Sequence, residues 1–374
     1  MIPLWADNAR RKADINNYPR RGSVKAEDGM FLKNCWYLAA WADELQPGAM
    51  LARQIAGEHV LFMRGEDDGV SALADLCPHR FVPLSMGRYE EGRVTCAYHG
   101  LRFDGHGKCI HNPHGPISAA LSVRSYPFVE RHAALWLWLG EAELADPALI
   151  TDLTFIDETA PEARVKGRLH SQADYRVMVD NIMDLTHADY LHASTLGGGI
   201  NTIAKADVEQ DGGAITITWT AEDEVVPPMM RGFTGHADGV GDFLNRIAWH
   251  APSIMVQDVN VGSTGSLKSG RWNQTARGCH VMTPETETST HYFFMNCNSS
   301  TKAHPETAPM VRAALVDAFS NEDAPISIAQ TQRIAGRDFW SLRPAMLPSD
   351  KGAVLVRRAL DRMIADEAQR LVAA

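Results

Sequence analysis

The chain has 374 residues and a mass of 41.2 kDa, a length that favours two domains or three. Apolar residues make up 45% of the sequence and charged residues 22%, which excludes a disordered, collagenous or coiled-coil protein. The 36 Lys and Arg against 46 Asp and Glu give a formal charge of −10. We predict that nucleic acid is not a partner, because its binding requires cations that neutralise phosphates.

Residues 1–30 are polar and basic and lack the apolar stretch of a signal peptide. We interpret them as a loosely held N-terminal arm. The strongest apolar run covers only residues 134–140, whereas a membrane span needs roughly 18 residues. We therefore predict a cytoplasmic protein without a membrane partner. In that compartment its six scattered cysteines are expected to be buried, metal-binding or catalytic.

The region 31–145 consists of short strand-like runs separated by glycine-rich and acidic turns. This spacing predicts a small antiparallel β domain. The region 150–374 mixes both element types and predicts an α+β domain in which a terminal helix lies on a sheet. Its predicted elements are a helix over 175–193, strands over 214–220, 247–261 and 280–298, and helices over 309–336 and 353–373.

Two Cys/His pairs stand in the first region, Cys77 with His79 and Cys96 with His99, and sixteen residues separate them. Prolines and glycines flank both pairs, which predicts tight loops. Two such loops facing each other supply two thiolates and two imidazoles, the ligand set of a Rieske [2Fe–2S] centre. We predict that the cysteines bind one iron and the histidines the other. A structural zinc site and four unrelated core residues remain as alternatives.

A second candidate centre lies at His187 and His192. A non-haem Fe(II) site needs two imidazoles and one carboxylate on one face. A spacing of five residues turns about 140° on a regular helix, so both rings reach one metal only if the helix ends or bulges there. The best third ligand is Asp323, with the adjacent Glu322 as its competitor. A solvated acidic helix face is the alternative for either carboxylate.

Taken together, these motifs resemble those of the α subunits of Rieske non-haem iron oxygenases, and most of all the branch of vanillate and dicamba O-demethylases. The resemblance spans roughly residues 34–347. It rests on the stretches LCPHRFVPLS, CAYHGLRFDGHGKCIHNPHG, VRSYPFVERHAALWLWLG, DYRVMVDNIMDLTHADYLH, HVMTPETETSTHYFF and RPAML.

The resemblance implies a Rieske β domain followed by a helix-grip catalytic domain with an antiparallel sheet, assembled as a homotrimer. It implies that His187, His192 and Asp323 bind a mononuclear Fe(II). It also implies that Asn181 lies close to this iron and that Asp184 bridges His187 to a Rieske histidine of the neighbouring subunit. The sequence agrees for Asp184, because metal-bound imidazoles usually donate their free N–H to a carboxylate, and on a helix this residue shares the side of His187.

The function implied by the resemblance is that of a monooxygenase component. It would take electrons from NAD(P)H through a reductase and a ferredoxin, use O2, and O-demethylate or N-dealkylate a small aromatic compound. One alternative is ring cis-dihydroxylation. Another, from a different class, is a Rieske electron carrier, against which the region 150–374 argues, because a redox module needs only about 100–150 residues. Candidate pocket residues, which ordinary strand packing explains equally well, are Trp249, His250, Trp272, Asn273 and Phe294.

Overall fold

The computed structural model describes residues 30–66 and 68–373, so the predicted arm lies outside the described residues except for Met30. The first half contains three small antiparallel sheets with the strand orders β2-β3-β4, β5-β6-β7-β8 and β1-β10-β9. The strands are β1 (Trp36–Trp41), β2 (Met50–Ile55), β3 (Glu58–Arg64), β4 (Val70–Ala74), β5 (Arg88–Glu90), β6 (Arg93–Thr95), β7 (Arg102–Phe103), β8 (Cys109–His111), β9 (Phe128–Arg131) and β10 (Ala134–Trp138).

The pair β1 and β10 is buried on both faces, which explains why the two sequences, WYLAAW and ALWLW, are apolar throughout. Successive side chains of a strand point to opposite sides. Tyr37 and Leu137 therefore join the large core shared with the second half, whereas Trp36 and Trp138 join a second core beneath the neighbouring sheet. One buried strand pair thus connects the two halves of the molecule.

The second half is built on a seven-stranded antiparallel sheet of order β11-β17-β16-β15-β14-β13-β12. Its strands are β11 (Val165–Ser171), β12 (Lys205–Asp211), β13 (Ala214–Val225), β14 (Val240–His250), β15 (Ile254–Gly262), β16 (Gln274–Thr286) and β17 (Ser289–Asn298). The helices are α1 (Thr154–Asp157), α2 (Tyr175–Met183), α3 (Ala188–Leu191), α4 (Ile200–Ile203), α5 (Ser266–Ser269), α6 (Ser299–Ala303), α7 (Ala308–Asp317), α8 (Ala324–Ile334) and α9 (Lys351–Ala373). The predicted α+β class is confirmed.

Two predicted strands are wrong as single elements. The run 247–261 is divided between β14 and β15, because Pro252 has no N–H for the ladder and the chain turns back there. The run 280–298 is likewise divided between β16 and β17, which turn at residues 287–288. Both turns do interrupt the apolar pattern, with HAPS at 250–253 and PETETST at 284–290, and these polar stretches were the available signal for the hairpins.

The long helices lie on one face of the sheet. Helix α9 packs on β13, where Gly352 lies so close to Ile217 that a Cβ atom would stand 1.9 Å from its Cδ1. The predicted terminal helix on a sheet is therefore confirmed. The helix predicted over 309–336 is in fact α7, a π-helical segment Ala318–Asp323 and α8. Among the described residues, no helix is long and apolar enough to cross a membrane.

Candidate metal centres

The two Cys/His pairs occupy loops with matching backbone hydrogen bonds. The first loop follows β4 and the second connects β6 to β7. The Cys77 carbonyl accepts from the Phe81 N–H, and the Cys96 carbonyl accepts from the Gly100 N–H. Both donors have a left-handed backbone, with φ of 61° at Phe81 and 71° at Gly100. An aromatic residue rarely adopts this conformation, so the loop geometry is imposed by its surroundings.

The sulfur and nitrogen ligands of these loops lie at different depths. Cys77 and Cys96 are each only 2% exposed, whereas His79 is exposed and His99 half-buried. The two imidazole rings are 4.5 Å apart between centroids. Burial and the neighbouring thiol of Cys96 raise the pKa of Cys77 to about 11, against the loop N–H groups that lower it. Cluster binding must therefore displace protons from the thiols.

This disposition fits the donor set of a Rieske cluster. Two thiols lie together inside, and two imidazoles lie together towards the surface. A cluster with sulfur ligands on one iron and nitrogen ligands on the other needs this separation.

The second centre begins where helix α2 ends. The helix stops at Met183, and Asp184 has an extended backbone with φ −136° and ψ 99°. The chain then makes a 3₁₀ turn, Leu185–His187, and enters the short helix α3, after which His192 follows. The predicted condition for this site, a helix that ends or bulges between the two histidines, is met.

The third candidate ligand comes from the π-helical segment. Asp323 Oδ1 lies 3.1 Å from His192 Nε2 and 3.5 Å from His187 Nε2. One ligand atom from each of the three side chains lies within 4.8 Å of the others, close enough for one metal ion. A π-helical turn inserts an extra residue into a helix and often occurs at functional sites. Here it turns the Asp323 carboxylate inward, where the residue is 7% exposed.

The two neighbouring carboxylates have different positions. Glu322 Oε2 accepts a hydrogen bond from His192 Nδ1, the ring nitrogen on the side away from Asp323. Asn181 donates through Nδ2 to Asp323 Oδ1 at 3.1 Å. The geometry therefore favours Asp323 over Glu322 as the third ligand and places Asn181 beside it.

Asp184 contacts His187 through its backbone carbonyl and not, as the sequence led us to expect, through its carboxylate. His187 Nδ1 lies 2.6 Å from the Asp184 backbone carbonyl and donates to it. The carboxylate instead accepts from the Thr186 N–H and hydroxyl, at 3.0 and 2.7 Å. The expected contact assumed that the helix continues. Because it ends at Met183, Asp184 caps the next turn and its carbonyl meets the imidazole.

The electrostatics of the three candidate ligands favour a charged carboxylate. Burial raises the pKa of Asp323, but hydrogen bonds from His187 and His192 outweigh it and hold the pKa well below its usual range. Burial lowers the pKa of His192, and the bonds to Asp323 and Glu322 reverse the direction and raise it. Asp323 therefore offers a full negative charge to a bound cation.

Sequence reasoning missed a polar row on the face of the sheet that the helices cover. His280 Nδ1 lies 2.7 Å from the Tyr292 hydroxyl, and its Nε2 lies 2.8 Å from Gln257 Oε1, which makes the tyrosine the donor to Nδ1. Gln257 in turn donates to Asn245 at 3.0 Å. Burial lowers the pKa of His280 to about 4, so the ring is neutral. Alternation along β14 to β17 was the available signal.

This row adjoins the candidate metal centre. Phe319, from the segment that carries Asp323, packs edge-on against the rings of His280 and Tyr292, with centroids 5.7 and 4.8 Å apart.

Trp249 and Phe294, two of the predicted pocket residues, lie on the same face and are fully buried. The Trp249 indole N–H has no partner among the described residues. Trp272 and Asn273 lie in the link before β16.

Comparison with known families covers most of the chain. Residues 35–127 match the Rieske [2Fe–2S] domain. Residues 171–366 match the vanillate O-demethylase oxygenase C-terminal domain. These ranges contain the two candidate centres, one in each.

Individual relatives match almost end to end. The dicamba O-demethylase oxygenase component of Stenotrophomonas maltophilia is 37% identical over 336 residues, which cover 89% of this chain and 98% of that protein. The chloroacetanilide N-alkylformylase oxygenase component of Rhizorhabdus wittichii is 34% identical over 352 residues, with coverages of 92% and 99%. A crystal structure of dicamba monooxygenase bound to 3,6-dichlorosalicylic acid has a TM-score of 0.83, at 37% identity, and covers 90% of this chain and 99% of that one.

Proposed function

The chain belongs to the family of Rieske oxygenase components that includes the vanillate and dicamba O-demethylases, and on that premise we propose that it dealkylates a small aromatic ether or amine. It is an oxidoreductase whose cofactors are a Rieske [2Fe–2S] cluster and a mononuclear iron. The observation that carries the proposal is the joint presence of both donor sets in one chain that aligns with dealkylases over nearly its whole length. Because its relatives are oxygenase components, we favour an oxygenase over a Rieske electron carrier for this chain.

The proposed reaction inserts one oxygen atom of O2 into a C–H bond next to the ether oxygen or amine nitrogen. Two electrons and two protons convert the other oxygen atom to water. The hemiacetal or hemiaminal then collapses to a phenol or an amine and an aldehyde. When bound, the cluster supplies single electrons and the mononuclear iron activates O2. We propose that these electrons come from NAD(P)H through a reductase and a ferredoxin in the cytoplasm.

The side chains that would hold the cofactors are those that the loops and helix breaks bring together. Cys77, His79, Cys96 and His99 would hold the cluster, and His187, His192 and Asp323 the mononuclear iron. Asn181 restrains the Asp323 carboxylate by donating to Oδ1.

The polar row beside the candidate metal centre supports an aromatic substrate with a polar substituent. Phe294 and Phe319 pack against each other beside this row, with ring centroids 5.7 Å apart. Asn245 accepts from Gln257 through its oxygen, which leaves its amide N–H groups as donors for a substrate oxygen. Aromatic walls with few polar groups orient small ligands in this manner.

The cluster loops present a surface suited to protein partners. Phe81 and Tyr98 are exposed on the two loops, and Met86 is exposed in the turn that follows the first loop. Exposed apolar groups around a redox centre favour docking of another protein. We propose that this surface serves both the ferredoxin and a neighbouring copy of the chain in a homotrimer. In that assembly the partner docks at the face of Asp184 and His187, which line a cavity of about 310 Å³.

The test of the reaction is product analysis. The purified protein, supplied with a generic reductase, ferredoxin and NADH, is screened against methoxy- and N-alkyl-arenes that carry a carboxylate, amide or no polar group. We expect aldehyde release in a 1:1 ratio to the phenol or amine. A dihydrodiol without aldehyde would overturn the proposal in favour of ring dihydroxylation.

The trimer has its own test. We mix Cys77→Ser chains, which lack the cluster, with His192→Ala chains, which lack the mononuclear iron, and let them reassemble. If electrons pass between neighbouring subunits, the mixture regains activity that neither variant has alone. If they pass within one chain, the mixture stays inactive. Wild-type chains taken through the same procedure control for losses during reassembly.

A further inference from the structure

Adjacent residues of the π-helical segment contact opposite edges of one imidazole ring. Asp323 Oδ1 lies 3.1 Å from Nε2 of His192, and Glu322 Oε2 accepts from Nδ1 of the same ring. The two nitrogens of an imidazole point in widely different directions, so groups bound at the two edges cannot share one metal ion. Glu322 is thereby placed behind the histidine, on the side away from the metal.

The other histidine of the centre has a different partner. His187 Nδ1 donates to the Asp184 backbone carbonyl, a neutral group, at 2.6 Å. Of the two rings, His192 alone has a carboxylate behind it within the part of the chain that the structure describes. A carboxylate behind a metal-bound imidazole fixes its tautomer and raises its basicity more than a neutral acceptor does. The two nitrogen ligands are therefore unequal.

The burial of His192 and Asp323 makes the charge of the Glu322 carboxylate important for a bound cation. The His192 side chain is 3% exposed and that of Asp323 10%, whereas Glu322 retains 31%. A divalent cation held by Asp323 alone leaves one uncompensated positive charge at a site that is nearly closed to water, which is unfavourable. Glu322 places a second carboxylate at the back of His192, and its side chain also touches solvent.

We propose that Glu322 is a positioning residue of the mononuclear centre, which orients His192 and balances the cation charge without binding the metal. The inference rests on the ligand set in the proposed function. It also gives a physical role to the π-helical turn, since the turn directs one of two adjacent carboxylates to the metal side of His192 and the other to its back.

The experiment measures metal affinity in the protein with its cluster intact. The mononuclear metal is removed with a chelator, and Co(II) is titrated against a chromophoric competitor under argon. Glu322→Gln retains an acceptor for His192 Nδ1 but removes the charge, and Glu322→Ala removes both. Glu306→Gln is the matched control, because its side chain is 73% exposed in another part of the chain and the variant has the same net charge.

We expect Glu322→Gln to weaken Co(II) binding by 10- to 100-fold and Glu322→Ala at least as much. Glu306→Gln should stay within twofold of the wild type. The visible Co(II) spectrum of Glu322→Gln at saturation should keep the wild-type coordination. The absorbance of the Rieske cluster, recorded in every variant, reports that the fold is intact.

Two results would overturn the inference. Affinity within twofold of the wild type in Glu322→Gln would show that the carboxylate has no role at the metal. A changed coordination spectrum, together with a loss as large as in Asp323→Ala, would make Glu322 a ligand. If His187→Ala and Asp323→Ala leave Co(II) affinity unchanged, the proposed ligand set itself fails, which separates that failure from a failure of Glu322.

Discussion

The two candidate centres of this protein are assembled in different ways. The proposed cluster ligands lie within residues 77–99, on two loops with the same backbone hydrogen bonds. The proposed mononuclear ligands His192 and Asp323 are 131 residues apart, and each depends on an interruption of a helix. The first centre is a local motif, whereas the second is a product of the tertiary fold. We therefore expect loss of one metal to leave the other in place.

The largest effect is expected from Cys77→Ser. Removal of one thiolate should abolish the cluster and its red-brown colour, and with it all turnover, because a hydroxyl does not replace a thiolate on iron. The measurement is acid-labile sulfide and visible absorbance. The mononuclear site should still bind Co(II). Cys109→Ser is the matched control, since this cysteine is equally buried in the same core and should leave the colour unchanged.

His192→Ala is the converse test. It should remove the mononuclear iron and reduce turnover below detection, because two remaining ligands hold Fe(II) too weakly. Iron analysis should fall to the iron of the cluster, whose spectrum should persist. His304→Ala, at a side chain that is 69% exposed, should retain both metals. Bleaching of the cluster by His192→Ala would contradict the independence of the two centres.

The same difference explains what the sequence could predict. Spacing over a few residues predicted the cluster loops without knowledge of the fold, because the whole proposed ligand set lies in two tight turns. For the second centre it predicted His187 and His192 and the need for a helix break, but left Glu322 and Asp323 as competitors. The choice between these carboxylates depends on a π-helical turn, for which sequence periodicity has no signal.

The errors had a related origin. The Asp184 carboxylate was expected beside His187 from helical spacing, but α2 ends at Met183, and it is the backbone carbonyl of Asp184 that meets the imidazole. The merged strands over 247–261 and 280–298 hid two hairpins, and therefore the register that aligns Gln257, His280 and Tyr292. The α+β class and the terminal helix on the sheet did follow from the order of elements.

Asp184→Asn should separate electron transfer between the two centres from metal binding. The variant is nearly isosteric, and the backbone carbonyl that holds His187 is unchanged, so both metals should remain. If Asp184 bridges the centres, steady-state turnover should nevertheless fall by orders of magnitude. Asp238→Asn is the matched control, because Asp238 also accepts from the N–H two residues later but is far from both centres in the chain. Normal turnover in Asp184→Asn would leave it only a capping role.

The smallest effect is expected on the pH dependence of stability, from His291, whose side chain contacts the first half of the chain. Its Nε2 donates to the Gln54 carbonyl in the first half at 3.1 Å, and burial followed by the charge of Arg53 lowers its pKa to about 4. In the unfolded chain the pKa is about 6.5, so the unfolded state binds more protons between these values. The stabilisation is present above pH 6.5 and is lost as pH falls towards 4.

We expect His291→Gln, which keeps a donor but does not titrate, to flatten this dependence. At pH 7 the melting temperature of the variant should be at or below that of the wild type. Towards pH 4 the difference should move in favour of the variant, by an amount that corresponds to at most about 3 kcal/mol. Parallel melting curves of the two proteins across this range would contradict the assigned pKa.

The central claim is that electrons held by the Rieske cluster are used productively only through the mononuclear iron centre. It is tested most directly by a single turnover, in which the cluster is reduced chemically, excess reductant is removed, and O2 and a substrate identified by aldehyde release are added. The account predicts that the wild type reoxidises its cluster quickly and releases aldehyde in proportion. His187→Ala, with its cluster intact, should reoxidise slowly and release none. Aldehyde release by His187→Ala, or fast reoxidation without aldehyde in the wild type, would contradict the account.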